Sequence, residues 1–239
     1  GLSKLGHSFT IVSFEKEEAF QKDEKNIRKI VNEAGIKWKP LKYTVSPPVL
    51  STLYDVRNLK RTVEQLHGET PIDIVHCRSY ITSLAGLFLK RKFGVKMVFD
   101  MRAFYADERV DGRIWNLKNP LFKAVYNFFK KKEIEFLENA DYSISLTAEG
   151  KEIIHSWKHI RSNPVPVQVI PCCADLAHFH PSKIDSSRKL ELQEKLNLSA
   201  DDFVITYLGS IGTWYLLDEM LDFFKVLVEK KPNAKFLFI

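Results

Sequence analysis

The sequence predicts an α/β protein built on doubly wound parallel sheets, and three observations carry that prediction. Short apolar runs alternate with longer segments of helical period along nearly the whole chain. The apolar runs are continuous rather than alternating, as expected of strands covered on both faces. The segments between them are long enough to be crossover helices joining parallel strands.

Taken in order, the strand-like runs are Phe9 to Phe14, Ile72 to Cys77, Lys96 to Phe99, Tyr142 to Leu146, Val167 to Ile170, Phe203 to Leu208 and Phe236 to Ile239. The helical segments are Glu24 to Ala34, Leu53 to Leu66, Ile81 to Phe93, Pro120 to Asn139, Ala148 to Trp157, Ser187 to Leu196 and Leu216 to Glu229. The rhythm breaks between Ile170 and Leu190, where Pro171 and Pro181 bracket a polar stretch without an apolar period. The expected organisation is one domain over residues 1–170, a linker over 171–190 and the start of a second domain over 191–239. In that second domain Gly209 ends a strand and Leu216 begins a helix, the opening strand-turn-helix of a nucleotide-binding unit. The chain opens on Gly1 and closes on an apolar run, so a piece of a longer protein is expected, the first domain lacking its beginning and the second cut short.

A formal charge of +6 favours anionic partners such as nucleotide diphosphates, nucleic acid or an acidic membrane surface without choosing among them. The three cysteines are odd in number and two of them, Cys172 and Cys173, are adjacent, which fits a reducing compartment better than a disulfide framework. No second Cys or His stands at zinc-ligand spacing from that pair, so no metal site is expected. No apolar stretch approaches the roughly twenty residues that span a bilayer, and a cytoplasmic location is expected.

Functional residues of doubly wound sheets gather at the carboxyl ends of strands. Asp100 and Arg102 stand there, opening the stretch DMRAFYADER that also holds Asp107, Glu108 and Arg109. A carboxylate in that place can orient a hydroxyl or take its proton, and an arginine can hold a phosphate or carboxylate through two hydrogen bonds. The alternative is a solvated loop in which Asp107, Glu108 and Arg109 pair with one another. His76, Arg78 and Ser79 belong to the end of the preceding strand and fall beside Asp100 if the two strands are neighbours; for His76 the alternative is a core histidine satisfied by backbone. The turn Gly209-Ser210-Ile211-Gly212-Thr213 is placed to offer backbone N–H groups to a phosphate, or else serves as a tight turn packing helix on strand. The segment from Arg113 to Glu138 sets aromatic residues beside Lys130, Lys131 and Lys132: a helix lying on an anionic membrane, or core aromatics with a solvated lysine face. No aromatic-basic sheet motif or zinc-finger spacing points to nucleic acid.

Four segments in this order resemble family four of the GT-B glycosyltransferases. LSKLGHSFTIVSFE resembles that family's second strand, and DIVHCRSYITSLAG its central strand and following helix. VIPCCADLAHFHP is similar to the interdomain segment V-I-P-N-G-V-D-x-x-x-F-x-P, with Asp175 and Phe179 matching and Cys172 and Cys173 in place of Asn and Gly. YLGSIGTWYLLDEMLDFF resembles the first strand-turn-helix of the donor domain. The resemblance implies two Rossmann-like domains facing a cleft, an acceptor site mainly on the first and a nucleotide sugar mainly on the second. It further implies transfer to a glycan or lipid-linked acceptor in surface-polysaccharide assembly, with retention of configuration and without a metal ion or other cofactor.

On this resemblance Asp100 replaces a histidine common in the family and becomes the expected catalytic residue. His76, Arg78, Ser79, Arg102, Asp107, Glu108 and Arg109 become acceptor-side residues, and Gly209, Ser210, Gly212 and Thr213 the donor cradle. The basic residues that often neutralise the diphosphate beside that cradle are missing from this sequence. The rival readings are a nucleotide-sugar epimerase of the same fold and a non-catalytic sugar-binding module.

Overall fold

The structure, a computed structural model, describes residues 2–212 and 215–239. In chain order the elements are β1 (Phe9–Glu15), α1 (Glu17–Glu33), β2 (Ile36–Lys42), α2 (Leu50–Glu69), β3 (Ile74–Arg78), α3 (Ser79–Phe93), β4 (Lys96–Asp100), α4 (Tyr105–Asp111), α5 (Pro120–Asn139), β5 (Tyr142–Ser145), α6 (Ala148–Ser156), β6 (Val167–Val169), α7 (Ser186–Lys195), β7 (Phe203–Tyr207), α8 (Leu217–Lys230) and β8 (Ala234–Phe238). The chain divides into two compact units, Gly1–Tyr105 with Asn127–Ile170, and Ala106–Tyr126 with Pro171–Ile239.

In the first unit β3, β4, β5 and β6 form a parallel sheet in that order, and β1 pairs with β2 in a second parallel sheet. Three differences from the sequence-based expectation have physical causes. The strand β2 was not expected, because IKWKPLK carries three lysines and Pro40. Its one partner among the described strands is β1, and an edge strand tolerates a proline that cannot donate to the ladder. The helix α1 starts at Glu17 rather than Glu24; no residue of it is buried, so its charged opening gives no apolar period. The residues Asp107 to Arg109 lie in the short helix α4 and not in a loop.

The helices end where local chemistry stops them. Gly94 takes φ 73° and caps α3, whose last turn carries Lys90, Arg91 and Lys92 at the negative end of the helix dipole. The Thr147 side chain accepts the Gly150 N–H and caps the start of α6. The first cap fixes where α3 hands over to β4, and the second where β5 hands over to α6.

One core cluster joins Leu41 of β2, Leu59 and Val63 of α2, and Ala85 and Leu89 of α3 to Val95, with Val12, Phe14 and Val75 packed against it. A second, aromatic cluster surrounds Tyr80, whose ring lies 5.4 Å from Phe99 and stacks on Tyr105 at 5.3 Å, with Phe129 and Phe136 packed edge-on. Tyr80 donates its hydroxyl proton to the fully buried Glu133, which also accepts from Lys130 at 2.5 Å. Of the α5 aromatics, Phe129 and Phe136 are therefore core, whereas Phe128 is exposed.

Asp141 ties the amino ends of β4 and β5 to α3. Its carboxylate accepts the Met97 N–H at 2.8 Å, Lys96 Nζ at 3.2 Å and Lys90 Nζ. Partial burial acts to raise its pKa, but the hydrogen bonds from Lys90, the Met97 amide and Lys96 outweigh it and hold the group down at about 2.

In the second unit β7 and β8 form a parallel pair. The helix α7 is capped by Asp185, whose carboxylate accepts the Ser187 and Arg188 N–H groups.

Candidate functional site

Strand periodicity sorts β3 residue by residue. Successive side chains alternate between faces, so Cys77 points opposite to His76 and Arg78. Cys77 is buried beneath α3, and burial pushes its thiol up to about 12. The contact is close enough that a Cβ on Gly86 would lie 2.2 Å from Cys77 Sγ. His76 and Arg78 are exposed on the other face, inside the strand rather than after it, and Ser79 begins α3 directly with φ 68°.

The parallel register sets Arg78 opposite Asp100. His76 Nε2 and Asp100 Oδ2 are 3.3 Å apart, with the Asp100 side chain 14% exposed and that of His76 58% exposed. The other carboxylate oxygen, Asp100 Oδ1, is buried and has no hydrogen-bond partner among the described residues. A buried acceptor left unpaired costs about 1–3 kcal/mol.

Past Asp100 the chain turns sharply. The Ala103 N–H bonds the Met101 carbonyl at 2.7 Å across Arg102, whose φ of 64° is uncommon for a side-chain-bearing residue. Arg102 therefore stands at the strand end with Asp100, and the structure brings together His76, Arg78, Ser79, Asp100 and Arg102 at the carboxyl ends of β3 and β4.

Asp107, Glu108 and Arg109 belong to the second unit. Asp107 accepts from the Tyr126 hydroxyl at 2.8 Å, and the backbone carbonyl of Arg109 receives the Ile114 and Trp115 amides at 2.9 Å. In the donor cradle Gly212 takes φ 100°, a conformation open to glycine at no steric cost. The Ser210 carbonyl accepts from the Tyr207 hydroxyl at 2.9 Å, and the Gly209 N–H bonds Ile239. Thr213 lies outside the described residues. Ser145, Thr147 and Gly150, which line a cavity beside Arg102, were missed by sequence reasoning; their signal was the Ser-Leu-Thr step from β5 into α6, also at a strand's carboxyl end.

Among the described residues no group of three or more His, Cys, Asp or Glu is placed to hold a metal ion, and no helix is long and apolar enough to cross a membrane.

The sequence profile of Glycosyltransferase Family 4 matches residues 1–178. The chain belongs to glycosyltransferase family 4. Among curated proteins none matches it. HepE of Anabaena, in complex with UDP and glucose, superposes with a TM-score of 0.61 at 11% identity, over 97% of this chain and 61% of that one. Sucrose-phosphate synthase from Thermosynechococcus elongatus gives a TM-score of 0.55 at 13% identity, over 96% and 70%. A protein assigned as a UDP-N-acetylglucosamine 2-epimerase from Listeria monocytogenes gives 0.53 at 13% identity, over 97% and 62%. At these identities the likeness is one of fold. This family 4 chain has the α/β GT-B fold with parallel sheets, and it spans between 61% and 70% of the three solved chains.

Proposed function

We propose that this family 4 protein transfers a hexose from a nucleotide diphosphate sugar to a hydroxyl of a glycan or lipid-linked acceptor, in assembly of a surface polysaccharide. Transfer proceeds with retention and without a metal ion. The observation that carries this reading is the Asp100 carboxylate, with one oxygen on His76 and the other buried and unpaired at a strand's carboxyl end.

The chemistry follows from that geometry. The carboxylate accepts a hydrogen bond from the acceptor hydroxyl at its partly exposed edge beside His76, orients the hydroxyl and takes its proton as the new glycosidic bond forms. His76, bonded to Oδ2, fixes the carboxylate's orientation and in its protonated form stabilises its charge. The Ser210 backbone N–H, in the turn that Gly209 and Gly212 shape, receives the donor phosphates, and electrostatic stabilisation of the departing diphosphate lowers the barrier. The complex of HepE with UDP and glucose supports a nucleotide-sugar donor.

The full-length protein, incubated with nucleotide sugars with and without acceptor, tests the reading. Nucleotide release only in the presence of acceptor is expected. Isomerised sugar without transfer would make the protein an epimerase, and no turnover at all a binding module. Asp100→Asn is expected to lower kcat/KM by about 10²–10⁴-fold with an unchanged circular dichroism spectrum. Full turnover by that variant would remove Asp100 from the mechanism.

A further inference from the structure

At the carboxyl ends of β4 and β5 lies a cavity of about 220 Å³, lined on one side by Met101, Arg102 and Phe104 and on the other by Ser145, Thr147 and Gly150. All of these belong to the first unit. The polar part of the lining is the Arg102 guanidinium and the hydroxyls of Ser145 and Thr147. Arg102 has no acidic partner among the described residues and no carboxylate lines the cavity, so its charge there is uncompensated. The two hydroxyls are arranged differently. Ser145 Oγ donates to the Thr147 carbonyl at 2.9 Å, which commits its proton. Thr147 Oγ1 accepts the Gly150 N–H at 3.0 Å, which leaves its proton available to a ligand.

Two features mark the cavity as built. A Cβ at position 150 would come within 2.7 Å of Ser145 Oγ, so glycine is what lets the hydroxyl layer sit against the start of α6. On the facing side the turn through Arg102 holds a side-chain-bearing residue at φ 64°, with the Ala103 amide folded back on Met101. Phe104 and Met101 add apolar walls, which weaken solvent screening and strengthen the attraction of Arg102 for an anion.

We propose that this cavity binds a phosphate group carried by the acceptor, so that the acceptor is a phosphorylated sugar or a lipid phosphate. The assignment rests on the reading of Asp100 as the group that receives the acceptor hydroxyl. Asp100 stands two residues before Arg102, at most about 7 Å away along the backbone. A phosphate anchored on Arg102 and Thr147 therefore holds the hydroxyl of the attached sugar within reach of Asp100.

Binding to the full-length protein, followed by calorimetry, tests the site with four probes: glucose, glucose 6-phosphate, glucuronate and a short-chain prenyl phosphate. At least tenfold tighter binding of one or both phosphates than of glucose and glucuronate is expected, and the better phosphate tells whether the group arrives on a soluble sugar or on a lipid. Arg102→Gln should cut that binding at least tenfold, as should Thr147→Val, while Thr147→Ser, which keeps the hydroxyl and the helix cap, should bind within about threefold of the native protein. Asp100→Asn should leave phosphate binding unchanged, so loss of transfer and loss of phosphate recognition are read separately. Equal binding of glucose or glucuronate, no binding of either phosphate, or native phosphate binding by Arg102→Gln would overturn the proposal.

Discussion

At the residue scale, His76, Cys77 and Arg78 have different fates because a strand sends neighbours to opposite faces. Cys77 is buried with its thiol raised to about 12, while Cys172 and Cys173 are exposed. Since the thiolate is the reactive species, an aromatic disulfide reagent at pH 8 should titrate Cys172 and Cys173 in the native protein and Cys77 only after denaturant is added. Absorbance of the released thiolate counts them, and a third thiol reacting without denaturant would contradict the packing of α3 on β3. The approach of His76 and Arg78 to Asp100 was legible in the sequence, because consecutive parallel strands are usually neighbours. The unpaired state of Asp100 Oδ1 was not, since it depends on what surrounds the side chain rather than on the run of residues beside it. For Asp107, Glu108 and Arg109 the sequence offered only a dense polar stretch, and the helix that carries them is too short to impose a period.

At the element scale, α3 rests on β3 through the absence of one side chain. Glycine inside a helix ordinarily costs about 1 kcal/mol relative to alanine, yet Gly86 sits in the middle of α3 with Cys77 Sγ where its Cβ would be. Overpacking of this kind costs about 1–3 kcal/mol, which exceeds the propensity gain over most of that range. Gly86→Ala should therefore lower stability by up to about 2 kcal/mol in urea unfolding. Combining it with Cys77→Ala should recover much of the loss, because the two residues share one contact; additive losses would place the strain elsewhere. The element most visible in advance was α5, whose bounds Pro120 and Asn139 were both expected, with Pro120 at a first helical position and Asn119 accepting the Leu121 N–H. Among the elements missed or cut short, β2 and the first turns of α1 bury little and interrupt their apolar residues with lysine, glutamate or aspartate.

At the scale of the whole molecule, the alternation of apolar runs with helical periods was enough to give parallel sheets, but not the interaction that clamps the amino edge of the larger one. Asp141 binds Lys90 of α3, and Lys96 and the Met97 amide of β4, immediately before β5 begins. Sequence reasoning had no means of seeing this, because the partners lie over forty positions away. The sign of its effect on stability follows from its pKa, which is about 2 in the folded protein against an ordinary 3.8. A carboxyl held below its unfolded value contributes stability that is fully present above about pH 4 and is lost as pH falls toward about 2. The shift corresponds to about 2 kcal/mol. In urea unfolding between pH 2 and pH 7, Asp141→Asn should thus be less stable than the native protein by about 2 kcal/mol at neutral pH. The gap should close through the window from about pH 4 to pH 2, where the native carboxylate itself takes up a proton. A gap of constant size across that window would mean that Asp141 acts through shape or its neutral hydrogen bonds, and that its charge does not hold β4 and α3 together.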